Sequence, residues 1–274
     1  MNPCMRLAVV ACLFGISCGS AEAGPWIFRW QKGQSLTYRV QHDTKVTDVL
    51  PGSRLVMASR LSLVKRWEID TVDDQGTATI RLKVIAMRNE QLRPNAEPLV
   101  FDSENPDKST PELHAQMSKF IGKVLAVLRV DAQGNVVKTL EGSATQFASD
   151  LPFLIRLPFA EPKEGQGWER PADFTLAPPF GTGEKYQAVQ QCQVTKLNNG
   201  QAQLQVSTTI KNMPQSPSAQ LPLVQKQSAG EVAFDVAAGR IVRADLRVDR
   251  EIMGHQGPGS SYRFESRYTE HFVD

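Results

Sequence analysis

Lys123-Val-Leu-Ala-Val-Leu-Arg-Val-Asp131-Ala-Gln-Gly134-Asn-Val-Val-Lys-Thr-Leu140 sets two β-branched, apolar runs on either side of the turn Asp131-Ala132-Gln133-Gly134. Glycine at the end of that turn supplies the positive φ that a short hairpin loop requires. The phrase returns as Glu231-Val-Ala-Phe-Asp235-Val-Ala-Ala-Gly239-Arg-Ile-Val242. Working outward, Gly76-Thr-Ala-Thr-Ile-Arg-Leu82 matches Gly200-Gln-Ala-Gln-Leu-Gln-Val206, each behind a turn of Asp or Asn residues. The offset is 124 positions at these glycines and 104 at the Asp131 and Asp235 turns, so the first half carries an insertion between Arg88 and Gly122. Alternation of period two recurs throughout: Leu36, Tyr38, Val40; Leu61, Leu63, Trp67, Ile69; Ala78, Ile80, Leu82, Val84; Cys192, Val194. Such alternation marks half-buried antiparallel strands. Val242–Met253 and Ser261–Phe272 read as a long final hairpin.

The expected fold is therefore mainly β: two similar antiparallel halves, each a strongly curved sheet or open barrel, with one or two short helices inserted in the first half. Ser109-Thr110-Pro111-Glu112 starts one helix, with Leu113, Met117, Phe120 and Ile121 on one face. A second is expected over Ala144–Leu154. The Pro- and Gly-rich stretch 158–180 reads as a linker between a first half, 24–157, and a second, 181–274.

Residues 1–23 have the three regions of a secretory signal: Arg6, an apolar run from Leu7 to Ile16, and Ala21-Glu22-Ala23. Cleavage is expected between Ala23 and Gly24, so that the mature chain begins at Gly24. The alternative is a cut before Cys18, whose acylation would tether the chain to a membrane. The apolar run is too short for a permanent span, which needs about 20 residues. Export to a bacterial envelope, periplasmic or secreted, is the expected location. Beyond the signal only Cys192 remains, which excludes an intramolecular disulfide, a CxxC redox pair and a cysteine zinc site. With 31 Lys and Arg against 29 Asp and Glu, interspersed along the chain, no electrostatic footprint for nucleic acid is present.

Lys32-Gly33-x-x-Leu36-x-Tyr38 and the central Leu157-Pro158…Pro162…Gly167-Trp168 resemble a family of exported bacterial β-rich proteins, a domain of unknown function. The resemblance implies an exported two-part β architecture and no mechanism.

Candidate chemistry is sparse. Trp26, Phe28 and Trp30 share one face of an extended segment, which reads first as a strand closing a core; the alternative is that, with Trp67, they face a ligand. Met87, Met117, Met213 and Met253 could line an adaptable apolar pocket. His255, Ser260 and Ser261 share one glycine-rich loop, but no Gly-x-Ser-x-Gly elbow occurs. His42, His114 and His271 stand singly, without HxH, HxxxH or HExxH spacing. Asp73-Asp74, Asp131 and Asp235 read as turn residues bonding their own backbone. No cofactor is expected. The leading expectation is a non-enzymatic envelope protein that binds an apolar ligand or a partner segment. The alternatives are an assembly factor without a pocket and a hydrolase with a site between the halves.

Overall fold

The structure is a computed structural model and describes residues 25–142, 155–158, 160–178 and 180–273. Three expectations lie outside the described residues. They are the signal cleavage between Ala23 and Gly24, the alternative lipidation at Cys18 and the helix over 144–154. The elements are β1 (Ser35–Leu50), β2 (Ser53–Val72), β3 (Ala78–Arg93), β4 (Ala96–Asp102), α1 (Pro111–Met117), β5 (Val124–Val130) and β6 (Val136–Glu141). They continue as β7 (Gly167–Pro171), β8 (Phe174–Leu176), β9 (Glu184–Tyr186), β10 (Ala188–Asn198), β11 (Gln201–Ile210), α2 (Pro217–Gln220), β12 (Ala229–Asp235), β13 (Arg240–Met253) and β14 (Ser261–Phe272).

Twelve strands form one antiparallel sheet, ordered β6-β5-β3-β2-β1-β14-β13-β12-β11-β10-β7, with β4 added to the far end of β3. The chain is mainly β, as its alternation requires. The repeated phrases become β2–β3 against β10–β11 and β5–β6 against β12–β13, each pair joined by the turn its Asp or Asn and Gly residues specify. What alternation could not show is the seam: β1 and β14 pair along their length, from Tyr38 opposite Phe272 to Val49 opposite Ser261. The seam merges both halves into one sheet and one principal core, which contains Trp67 and Leu82 from one and Leu204 and Phe234 from the other. The stretch 158–180 is more than a linker, since β7 extends the sheet edge beside β10 and β8 pairs with β9.

The sheet curls strongly without closing into a barrel. Five strand spacings separate β5 from β13, which would set them ~24 Å apart in a flat sheet. Yet the amide of Phe28 donates to Ala132 O at the β5–β6 turn (2.8 Å), and the next amide, Arg29, donates to Gly239 O before β13 (3.1 Å). The two outermost strands, β6 and β7, would be ~48 Å apart if flat, ten spacings away. Residues 156–157 bridge them: Leu157 N donates to Gln133 O (2.9 Å), and Trp168 Nε1 donates to Arg156 O (2.7 Å). At the hairpin end the gap in the sheet is thus spanned by irregular chain. The two turn glycines allow this close approach. A Cβ on Gly134 (φ +85°) would lie 2.7 Å from the Phe28 ring, and one on Gly239 (φ +61°) would lie 2.6 Å from Arg29 N.

One face of the sheet carries the core and is concave; the other carries charge. Arg263 pairs with Asp249 (2.8 Å), Arg267 with Asp245 (2.8 Å) and Lys83 with Glu68 (2.7 Å) across neighbouring strands of the convex face. Helical content differs from expectation in two respects. No α1 residue is buried and Phe120 is exposed, so the expected apolar face packs only lightly. The second half also has a helical excursion, residues 211–228 with α2, at the position the insertion holds in the first half. Its start, Ser216-Pro217, is the same hydroxyl-proline signal that marks α1.

Candidate functional site

The aromatic end of the concave face is filled by the protein itself. Trp26, Phe28, Trp30 and Trp67 are 1%, 3%, 8% and 3% exposed. Phe28 stacks on Trp30 (5.1 Å between ring centroids) and meets Phe234 edge-on (5.5 Å). The cavity beside them measures about 10 Å³, enough for about one water. These four residues are core, and a ligand has no room among them. The methionines do not converge either: Met87 packs on the main core, Met213 on a satellite cluster, and Met253 is 64% exposed.

Beneath the aromatics lies a polar cluster that the alternation hid in plain view. Lys65 occupies an inward position between Leu63 and Trp67, and its side chain is fully buried. Its Nζ stands 2.7 Å from Glu270 Oε1 on β14 and 5.4 Å from the Trp67 ring. Tyr268 OH donates to Glu270 Oε2 (2.5 Å), and Tyr38 OH donates to Ile241 O (3.0 Å). Burial, together with the Glu270 charge, pushes both phenols above their ordinary value. The Arg240 guanidinium lies 4.0 Å over the Phe272 ring. The cluster crosses β2, β1 and β14 and so ties the seam together. A charged residue at an inward phase was the sequence signal for it.

The glycine-rich loop 254–260 folds back on the sheet. His255 Nε2 lies 3.0 Å from Asp48 Oδ1 on β1, with the histidine side chain 1% exposed. Ser260 is also buried, accepting from Gln256 N (3.0 Å) and donating to Gly257 O (2.7 Å). Its hydroxyl therefore serves the turn. His42 Nε2 is 2.8 Å from Ser266 Oγ, His114 lies against Phe101, and His271 is exposed. Among the described residues, no three His, Cys, Asp or Glu side chains are placed to hold a metal. Burial pushes the Cys192 thiol up to about 12, which makes it a poor nucleophile. A shallow polar groove of about 400 Å³ runs along β7, β10 and β11 past Gln191, Gln193, Gln205 and Ser207. Its polar groups are already engaged in part, Gln191 Nε2 donating to Glu169 Oε1 (2.8 Å).

The half of the concave face away from the aromatics is different. β1, β2 and β3 run on past the core, and on their inward side the register places Val46 beside Met57, Asp48 beside Leu55 and His42 beside Leu61. Leu55 and Met57 are 41% and 44% exposed there, while Val46 and Leu61 are half-buried. Toward β13 and β14 the same face is covered: Val224, from the excursion before β12, packs with Val248, Ile252 and Phe264, and Val46 and Leu221 lie against them. The concave face is thus a packed core at one end and an aliphatic strip, part covered and part open, at the other.

Neither a protein-family model nor a curated protein matches the chain. Among solved structures it is similar to one titled for lipid–protein interactions in lipovitellin, with a TM-score of 0.45 and 16% identity, over 89% of this chain. The match spans 25% of that chain, a quarter of its length. DynF, from the dynemicin biosynthesis pathway of Micromonospora chersina, matches with a TM-score of 0.23 and 7% identity, over 93% of this chain and 88% of that one. At these levels neither likeness bears on function. No helix among the described residues is long and apolar enough to cross a membrane.

Proposed function

We propose that the protein is an exported, non-enzymatic binding protein that holds an apolar, lipid-like molecule on the open half of its concave face. One observation carries this reading: Leu55 and Met57 point to the concave side at 41% and 44% exposure, continuing the aliphatic row of Val46 and Leu61. Inward-facing side chains of an antiparallel sheet need an apolar cover, and the described residues supply only part of it here. Titration with the fluorescent probe N-phenyl-1-naphthylamine tests it. Saturable binding is expected, weakened about 10-fold or more by Leu55→Glu with Met57→Lys, since each tenfold is about 1.4 kcal/mol. Both positions are exposed, so the melting temperature should hold. Absent saturation, or affinity untouched by the double substitution, would refute the reading.

An assembly factor is the second reading, and edge strand β6 favours it. β6 is exposed along its length, with Val137 at 59% and Leu140 at 46%, which suits it to accept a partner's strand. Mass measurement of the natively purified protein separates the two: a lipid-sized adduct lost on denaturation supports the first, a co-purifying polypeptide the second.

A further inference from the structure

The excursion between β11 and β12 is longer than its connection demands. These strands are antiparallel neighbours, which a hairpin of two to five residues would join. Instead, residues 211–228 leave the sheet. The excursion is fastened at its feet, where Thr208 N donates to Ser228 O (2.9 Å) and Lys211 N donates to Gln187 O (2.8 Å). Between them its backbone bonds to itself, Ala219 N to Ser216 O and Gln227 N to Val224 O, and its short helical turns have no side-chain caps. It is held on the sheet by apolar side chains: Leu223 enters the satellite cluster of Leu176, Ala188 and Ile210, and Val224 enters the strip of Val248, Ile252 and Phe264.

A second observation concerns charge. Of the other arginines of the β13–β14 hairpin, Arg243, Arg247, Arg263 and Arg267 pair with Asp245 or Asp249 on the convex face, and Arg240 lies over the Phe272 ring. Arg250 stands on the concave side, opposite Phe264 and between Val248 and Ile252, exposed and without an ion pair among the described residues. An unpaired cation thus stands on an aliphatic strip, the complement of an alkyl chain with an anionic head.

We propose that residues 213–227 are a displaceable plug over a binding strip for a long-chain aliphatic carboxylate. The chain takes the place of Leu221 and Val224 and extends toward Met57 and Leu55, while the carboxylate rests at Arg250. This rests on the reading of the concave face as an apolar-ligand site and names its ligand class and its gate.

Oleate and oleyl alcohol, titrated against the full chain by displacement of the naphthylamine probe, test it. Because the plug competes with the ligand, Val224→Ser, and separately the half-buried Leu221→Ser, should tighten oleate binding about 3-fold or more. Arg250→Gln should weaken oleate about 3-fold and leave oleyl alcohol unchanged. Hydrogen exchange across 213–227 should rise when oleate binds. Circular dichroism confirms that each variant is folded. If the wild type binds oleate but both plug variants bind it equally or more weakly, or exchange across 213–227 falls, the plug is overturned. If Arg250→Gln shifts both ligands alike, the carboxylate assignment is overturned. If the wild type takes up neither ligand nor probe, the apolar-ligand reading falls as well.

Discussion

Glu270→Gln is the substitution that tests the seam. The wild-type carboxylate stands 2.7 Å from Lys65 Nζ, with side-chain exposures of 6% and 0%. Glutamine keeps the shape and still accepts the Tyr268 hydroxyl, which now donates to Glu270 at 2.5 Å. Only the countercharge disappears, and the ammonium is left where water cannot reach it. Breaking a buried pair in this way costs about 3–5 kcal/mol, against a total stability of about 5–15 kcal/mol for a protein of ordinary kind. Replacing both partners, Lys65→Met with Glu270→Gln, removes the stranded charge. The double variant should recover much of the loss, with a coupling of about 2 kcal/mol or more. Urea unfolding followed by tryptophan fluorescence gives the four stabilities, read at an unchanged m-value. If Glu270→Gln costs under about 1 kcal/mol, or the two single losses simply add, the pair does not hold the seam.

Alkaline pH should attack the same cluster. Tyr268 and Tyr38 have folded pKa values raised above the ordinary 10.0, by burial first and by Glu270 second. Above pH ~10 the unfolded phenols release protons that the folded ones retain, so stability is intact below that pH and falls above it, by up to about 1.4 kcal/mol per pH unit for each phenol. Tyr268→Phe should flatten this decline in urea midpoints measured from pH 8 to 11; an unchanged slope would refute the assignment. Gly134→Ala and Gly239→Ala should each cost about 2 kcal/mol or more, combining the left-handed backbone with a displaced N-terminal segment. Gly33→Ala is the control. Its φ is +80° but nothing lies within 4 Å of the added Cβ, so it should cost only about 1 kcal/mol. Equal losses in thermal melts of all three would show that the close approach of residues 27–29 contributes nothing.

Strands, turns and the mainly-β class were legible because their causes are local. Side-chain alternation is set by the pleat, and Asp131-Ala-Gln-Gly134 bends the chain through its own hydrogen bonds, Asp131 Oδ1 accepting from Gln133 N (3.0 Å) and Asn135 N (2.8 Å). The α1 start was legible for the same reason, and Ser216-Pro217 carries that signal too. Cys192, alone among the described residues as a free thiol, is buried at its alternating position. Only tertiary structure decided how the strands meet. The pairing of β1 with β14 joins the two ends of the chain, and no property of Leu36–Val40 or Tyr268–Phe272 taken alone names the other as neighbour. From that pairing followed the single core, the burial of the four aromatics and the meeting of Lys65 with Glu270. It also decided which stretch of the concave face remained uncovered. The aromatics at Trp26, Phe28 and Trp30 have the larger apolar surface and so were taken into the core, while the aliphatic residues of the longer strands, Leu55 and Met57, have too little of the described chain folded over them to be buried.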